Sequence, residues 1–167
     1  INVFATKAED GRTYDFSDFD LIADWNDKLN PKLNASVQFV NRGKKAKQQA
    51  IGSANATIRV RGNPGSALKS YRIKFMDGTE GIKGQSTFNL DKNLNDSSRI
   101  ANKLAHDLII DLKHISGFRT SFLEVFIRDD ELKEKADFYT YGLYTHIEQP
   151  NKAYLKSHGL DENGSIY

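Results

Sequence analysis

The sequence predicts an α+β fold in which a mostly antiparallel sheet is combined with one main helix. Alternating apolar and polar residues predict several strands, most clearly at 56–61 and 70–75. One longer segment, 98–113, repeats its apolar residues at helical spacing instead. Strands and helices do not alternate strictly along the chain, so a doubly wound parallel sheet is disfavoured.

Length and composition are those of about one folded domain. The 167 residues are 38% hydrophobic and 28% charged, and a domain commonly has roughly 150 residues. Lys and Arg number 24 against 22 Asp and Glu, so the sequence lacks the cationic excess of proteins that coat nucleic acid. Cysteine is absent, which excludes disulfide scaffolds, thiol catalysis and cysteine-ligated metal sites. No apolar run is long enough to predict a membrane span.

Short strands and turns account for most of the chain. The strands predicted from alternation are, in chain order, 35–41, 56–61, 70–75, 87–90, 121–128 and 139–149. Turn-forming residues at 62–66 (GNPGS) join the second and third of these strands into a hairpin. The basic segment 42–49 is interpreted as a solvated hairpin tip, in preference to a binding site.

Helical spacing predicts three helices of different lengths. Phe19, Ile22 and Trp25 predict a short amphipathic helix within 18–30, and we expect 1–34 to lead into a main domain at 35–167. The main helix, 98–113, carries a broad apolar stripe. Asp96 or Ser97 is predicted to cap its start, and Gly117 lies just past its end. A short closing helix is predicted at 151–158.

Several known motifs fail on their spacing. The segment 62–70 resembles a phosphate-binding loop, but Lys69 follows the second glycine too late for a Walker A motif. Asp91, Asn93 and Asn95 match the first ligands of a calcium loop, whereas its glycine and its final glutamate are missing. The four histidines fit no zinc motif. The sequence therefore predicts no metal site formed by this chain alone.

One cluster of charged residues survives these tests. Side chains alternate between the two faces of a strand, so the predicted hairpin places four cations on the face opposite its apolar residues. They are Arg59, Arg61, Arg72 and Lys74. Guanidinium groups suit phosphate oxygens, which makes this face a candidate anion site. A solvated sheet face that uses Arg and Lys for solubility remains the alternative.

The last predicted strand is rich in aromatic residues. Alternation places Tyr139, Tyr141 and Leu143 on one side and Tyr144 on the other. These tyrosines could stack on a base or a sugar, and packing in a β core is the alternative.

Four segments of the sequence resemble, in their order, the CotH kinase family. They are 59–75 (RVRGNPGSALKSYRIKF), 89–112 with its Asn102-Lys103-Leu104-Ala105 helix, 141–154 (YGLYTHIEQPNKAY) and 164–167 (GSIY). The family is named for a spore coat protein and includes secreted and surface proteins of bacteria and fungal invasins. The RGN turn before a KSYRIK strand and the GLYxxIEQP segment carry the resemblance, which spans about 35–167.

The resemblance implies an atypical protein-kinase fold, of which this chain would be the small lobe and the hinge. It implies ATP with Mg²⁺ as phosphate donor, and secreted or coat proteins as acceptors. Arg61, Arg72 and Lys74 would hold phosphate oxygens, and Asp107 would pair with Lys74 or Arg72. The hinge, 144–149, would meet adenine. The residues implied to bind nucleotide are Arg59, Arg61, Arg72, Lys74, Asp107, Tyr144, Ile147, Glu148 and Gln149.

Catalytic residues are expected beyond Tyr167, because kinases place their metal-binding carboxylates after the hinge. The chain begins at Ile1, so we expect a processed or excised piece that is inactive alone. The resemblance also implies an extracellular, cell-surface or spore-coat location, with no nucleic-acid partner and no transmembrane segment. Two alternatives remain open: a non-catalytic surface-binding module, and a β domain that binds oligosaccharides through Trp25 and the tyrosines.

Overall fold

The computed structural model describes residues 1–22, 30–40, 52–63, 65–79, 81–82, 84–129 and 137–166. The strands in them are β1 (Asn2–Phe4), β2 (Thr6–Lys7), β3 (Thr13–Tyr14), β4 (Leu33–Ser36), β5 (Ala56–Arg61), β6 (Ser70–Phe75), β7 (Thr87–Asp91), β8 (Thr120–Asp129) and β9 (Tyr139–Glu148). The helices are a 3₁₀ helix (Ser17–Leu21), α1 (Ala101–Asp111) and α2 (Lys152–Ser157). The predicted hairpin tip at 42–49 and Trp25 lie outside the described residues.

Seven of the strands form a closed barrel in the order β1-β4-β5-β6-β7-β9-β8. Neighbouring strands pair in antiparallel fashion except at the closure, where β1 runs parallel to β8. Val3 of β1 lies opposite Ala35 on one side and Asp129 on the other. The three-residue strand β1 therefore completes the ring, while β2 and β3 form a separate two-stranded sheet.

The predicted α+β architecture, an atypical kinase small lobe with a hinge, is wrong. The structure is mostly β, and its sheet closes on itself. The segment predicted as a hinge belongs largely to β9, a strand of the barrel wall that pairs with β7 on one side and β8 on the other. The closure escaped prediction because β1 is too short to show alternation and pairs with residues more than 120 positions away.

The barrel interior holds the main hydrophobic core. Strands β5 and β6 confirm the hairpin prediction with the predicted bounds, and Ile58 lies directly opposite Ile73 between them. Both side chains are fully buried. Other buried core residues of the ring are Val3, Leu33, Ala35, Ala56, Val60, Tyr71, Phe75, Phe88, Leu90, Val125, Ile127 and Tyr144.

A register shift in β8–β9 changes which tyrosines face the core. The shift lies between Val125 and Phe126, opposite Gly142, whose φ of 107° is a conformation that favours glycine. A Cβ at Gly142 would also lie 2.9 Å from Nζ of Lys92. Because of the shift, the rings of Tyr141 and Tyr144 stack on each other at 6.1 Å. The prediction that these two residues lie on opposite faces is therefore wrong.

Helix α1 lies on the outside of the barrel against β8. It occupies the interior of the predicted segment 98–113. The N-cap is Ile100 and not the predicted Asp96 or Ser97, although Oδ2 of Asp96 accepts a hydrogen bond from the N–H of Ala101, the first helical residue, at 2.8 Å. None of its residues is buried. Neither α-helix in the described residues has the length and hydropathy that crossing a membrane requires.

The N-terminal region contributes to the same core. The described part of the predicted helix at 18–30 is the 3₁₀ helix Ser17–Leu21, whose Phe19 is fully buried. The ring of Phe19 lies 5.7 Å from that of Tyr71 in β6. The division of the chain at residue 34 stays a prediction.

Candidate anion-binding face

Four cations share the outer surface of the β5–β6 hairpin. Arg59 and Arg61 alternate with buried residues along β5, and Arg72 and Lys74 do so along β6. The pairing register sets Arg59 directly opposite Arg72. We call the outward surface formed by Arg59, Arg61, Arg72 and Lys74 the cationic face, and it confirms the prediction that these four residues lie on one side of the hairpin.

The cationic face carries little compensating negative charge. No carboxylate in the part of the chain that the structure describes lies within 4.0 Å of these four cations. Burial lowers the pKa of Arg72, and the charges of Arg59 and Arg61 lower it further. Burial also lowers the pKa of Arg61, partly offset by the attraction of Asp91. Like charges directly opposite each other destabilise a sheet, so an anion bound here would relieve the repulsion.

Asn89 of β7 extends the cationic face towards β9. Its Oδ1 lies 3.5 Å from Nε of Arg72, and its Nδ2 donates to Oε1 of Gln149 at 3.1 Å. Ile147 lies opposite Asn89 in the register and is nearly buried. The structure thus brings Arg72, Ile147 and Gln149, three of the predicted nucleotide residues, together around a residue that the prediction missed.

A polar cluster links the cationic face to α1, and we define it as Ser70, Asp91, Asn93, Asn102 and Thr145. Asp91 accepts a hydrogen bond from Oγ of Ser70 at 3.2 Å, and Nδ2 of Asn93 donates to Oγ1 of Thr145 at 2.7 Å. Asn102 of α1 donates to Oδ1 of Asn93 at 3.1 Å. These bonds fix the position of the helix relative to β7 and β9.

Asp107 pairs with a residue of its own helix. Its carboxylate accepts from Nζ of Lys103, and this bond is the largest of the effects that hold the pKa of Asp107 below its ordinary value. Its other oxygen accepts from Oγ1 of Thr120 at 3.4 Å. The structure therefore does not bring Asp107 to Arg72 or Lys74. Its part in nucleotide binding stays a prediction.

Two predicted site residues lie away from the cationic face. Tyr144 is inside the barrel, where its hydroxyl donates to the carbonyl of Lys69 at 3.2 Å and Nζ of Lys92 lies 4.2 Å from its ring centre. Glu148 is also buried. A role for Tyr144 in stacking on adenine stays a prediction, although the ring is enclosed by core residues in this structure.

Glu148 is the centre of a buried network at one end of the barrel. Its Oε2 accepts from the backbone N–H of Arg119 at 2.8 Å and lies 2.8 Å from Nε2 of His158. Its Oε1 lies 3.4 Å from Nη1 of Arg119. Arg119 also donates to the carbonyl of Ser157 at 2.8 Å. The network therefore ties β8, β9 and the end of α2 together.

The described residues do not form a magnesium site by themselves. Among them, no three His, Asp or Glu side chains lie close enough together to hold a metal ion. Asp91 is the carboxylate whose charge raises the pKa of Arg61 in the cationic face. Its oxygens already accept hydrogen bonds from Ser70 and Asn102.

Asn89 and the polar cluster are the site residues that sequence reasoning missed. From the sequence, Asp91 and Asn93 are considered only as calcium ligands, and no role is assigned to Asn89. The alternation of Thr87, Asn89 and Asp91 in β7 was the available signal, since it places three polar residues on the outer face.

Comparison with known families adds the remaining observation. The model of the family described as CotH kinase protein matches residues 58–167, about two thirds of the chain. The chain belongs to the CotH kinase protein family. The match begins inside β5 and includes the cationic face, the polar cluster and α1. It confirms the resemblance found in the sequence. No curated protein matches the chain.

Proposed function

We propose that this member of the CotH kinase family binds ATP on its cationic face, as the phosphate donor for transfer to secreted, surface or coat proteins. The observation that carries the proposal is the pairing of Arg59 with Arg72, on a face where no described carboxylate forms an ion pair with the four cations. Two guanidinium groups this close repel each other unless an anion lies between them, and phosphate oxygens match their geometry.

The residues of the face would divide the work of holding the triphosphate. Arg59 and Arg72 are adjacent on neighbouring strands and would contact the same phosphate, and Arg61 lies one alternate position further along β5. Lys74, which is exposed, would add a point charge at the other end of the face. Bound ATP supplies the phosphoryl group that is transferred.

Asn89 and Gln149 would shape the rim of this site. Their mutual hydrogen bond fixes the amide of Asn89, whose Oδ1 lies 3.5 Å from Nε of Arg72. A fixed Asn89 oxygen orients the guanidinium plane, which favours bidentate contact with a phosphate. We propose that Ile147, the apolar neighbour of Asn89, contacts the nucleoside end of the ligand.

Phosphoryl transfer also needs carboxylates that hold a divalent cation. Since the described residues lack such a cluster, we propose that these groups come from residues outside those that the structure describes. The cation would be Mg²⁺, the usual partner of ATP. An extracellular or spore-coat setting is proposed from the family alone.

Equilibrium binding of nucleotides to the chain tests the proposal. We expect affinity to fall from ATP to ADP to AMP, because the cationic face contacts phosphates. Arg59→Gln combined with Arg72→Gln should lower ATP affinity about a hundredfold or more, since two charge-assisted hydrogen bonds are lost and each contributes about 1.5–3 kcal/mol. The measurement is isothermal titration calorimetry at low ionic strength.

Arg12→Gln is the matched control, because Arg12 is an exposed arginine outside the barrel, next to β3. It should leave ATP affinity unchanged. The proposal is wrong if ATP does not bind at millimolar concentration, or if the double variant binds ATP as well as the control does. It is also wrong if AMP binds as tightly as ATP, because the phosphates would then make no net contribution.

A further inference from the structure

Helix α1 exposes the side that an amphipathic helix normally buries. Ile100, Leu104, Leu108 and Leu112 follow one another at intervals of four residues, and each is about half exposed. Its polar residues Asn102 and Asp107 make the hydrogen bonds to the barrel side, through Asp91, Asn93 and Thr120. The apolar stripe, which we define as Ile100, Leu104, Leu108 and Leu112, therefore points away from the core.

A continuous stripe of this kind marks an interaction surface more often than a solvated one. With Ile115 it exposes roughly 500 Å² of apolar surface, so a pair of copies would bury about 1,000 Å², near the lower limit of specific interfaces. Small residues, Ala101 and Ala105, lie beside the stripe and allow a second helix to approach closely. Area and shape are thus sufficient for a weak helix–helix contact.

The charges beside the stripe are complementary to themselves in one orientation. Lys103, Asp107 and Asp111 recur every four residues and line one edge of the stripe. In an antiparallel pair whose two-fold axis passes between Leu104 and Leu108, this edge meets the same edge of the second copy. Lys103 then lies between Asp107 and Asp111 of the second copy. A parallel pair would instead set this edge against the opposite edge of the second copy, which carries Ala101 and Ala105.

We propose that α1 is a homodimerisation element that pairs, antiparallel and about a two-fold axis between Leu104 and Leu108, with α1 of a second copy of this chain. Leu104 of each copy packs on Leu108 of the other, and Ile100 packs on Leu112. The interface is closed, as isologous contacts are. It is separate from the cationic face and goes beyond the function proposed above.

Cysteine cross-linking tests the orientation directly, because the chain has no cysteine of its own. Leu104→Cys protein is mixed with Leu108→Cys protein and oxidised, and each variant is also oxidised alone. We expect several-fold more disulfide-linked dimer in the mixture than in either separate sample. Leu21→Cys is the control, because Leu21 is 68% exposed and lies outside α1, and it sets the level of chance collisions.

A charge exchange tests the same register without touching the apolar stripe. In sedimentation velocity, Lys103→Glu and Asp107→Lys should each weaken the dimer, since each variant meets a like charge on the second copy. Mixed together they should associate again, because both contacts between copies then join opposite charges. The in-chain pair stays broken in both variants, so rescue on mixing reports the contact between copies.

Three outcomes would overturn the proposal. One is a monomer at the highest concentration that the protein tolerates, which would leave the stripe to another occupant. Another is cross-linking in the separate samples that equals or exceeds that in the mixture, which would indicate a parallel or random contact. The third is a dimer that persists in the Leu104→Gln plus Leu108→Gln variant, which would place the interface elsewhere.

Discussion

The β5–β6 hairpin and helix α1 are both amphipathic, and they are oriented in opposite ways. In the hairpin the apolar side chains, such as Ile58 and Ile73, fill the barrel, and the cations face outward. In the helix the amide of Asn102 bonds inward and Leu104 and Leu108 face outward. Periodicity identified both elements from the sequence, and it left undecided which side each would bury.

The difference shows how the two elements are held. The hairpin is fixed by strand pairing on both sides and by burial in the core, which is the dominant stabilising term in a folded domain. Helix α1 touches the barrel through β8 and through hydrogen bonds of the polar cluster. Its local stability should therefore depend on a few polar contacts, and its apolar residues should contribute little within one copy.

Truncating one apolar residue in each element should give the largest difference in the free energy of unfolding between the hairpin and α1. Ile73→Ala removes a fully buried side chain and is expected to lower the free energy of unfolding by about 2–5 kcal/mol. Leu108→Ala removes an exposed one and should change it by less than about 0.5 kcal/mol. Urea denaturation of dilute protein measures both. Equal losses in the two variants would mean that the stripe is buried within a single chain.

Removing a polar contact of α1 should lower the free energy of unfolding by less than Ile73→Ala does. In the helix, unlike in the hairpin, the polar residue should contribute more to stability than the apolar one. Asn102→Ala deletes the donor to Asn93 and Asp91 and should lower the free energy of unfolding by about 1–2 kcal/mol. Leu104→Gln, on the exposed side, serves as the matched variant and should be nearly neutral. The comparison fails if Leu104→Gln is the more destabilising of the two.

The start of α1 should give the smallest effect, visible as a dependence on pH. Hydrogen bonds from Ser98, first, and from the N–H of Ala101 hold the pKa of Asp96 below its usual 3.8. The stabilisation of the fold by ionised Asp96 is therefore present above pH 4, and it is lost as the pH falls through the lower pKa that Asp96 has in the folded state.

Circular dichroism and urea denaturation between pH 2 and pH 6 check this effect. Asp96→Asn should be slightly less stable than the original at pH 6 and should lack this part of the acid-induced loss. Asp77→Asn, in a turn distant in sequence from α1, is the control and should keep the loss. A retained loss in Asp96→Asn would assign the acid dependence to other carboxylates.

Much of the fold could be predicted where the pattern is local. Strict alternation predicted the bounds of β5 and β6, and helical spacing predicted α1, although the helix starts at Ala101 and not at residue 98. The closure of the barrel could not be predicted, because Asn2–Phe4 is too short for a pattern and its partner Arg128 is distant in sequence. The side of β9 on which Tyr141 lies could not be predicted either, because the register shift at Gly142 interrupts the two-residue alternation of the strand.

The candidate site was predictable in part for the same reason. Arg59, Arg61, Arg72 and Lys74 share a face because strand geometry requires it. Asp107 was assigned to these cations by analogy, and the structure places it beside Lys103 instead. Glu148 lies on the same side of β9 as Tyr144, as alternation requires, but alternation does not say that this side is buried.

The parallel contact between β1 and β8 determines when the fold can be completed. Asn2 lies opposite Arg128, so β1 gains its second neighbour only when a strand more than 120 positions away pairs with it. Contacts so distant in sequence slow folding, because a long loop must be closed before they form. Until then β1 and β8 each keep an open edge, and such edges can recruit other chains. We therefore expect folding rate and resistance to aggregation in this protein to depend on the three residues of β1.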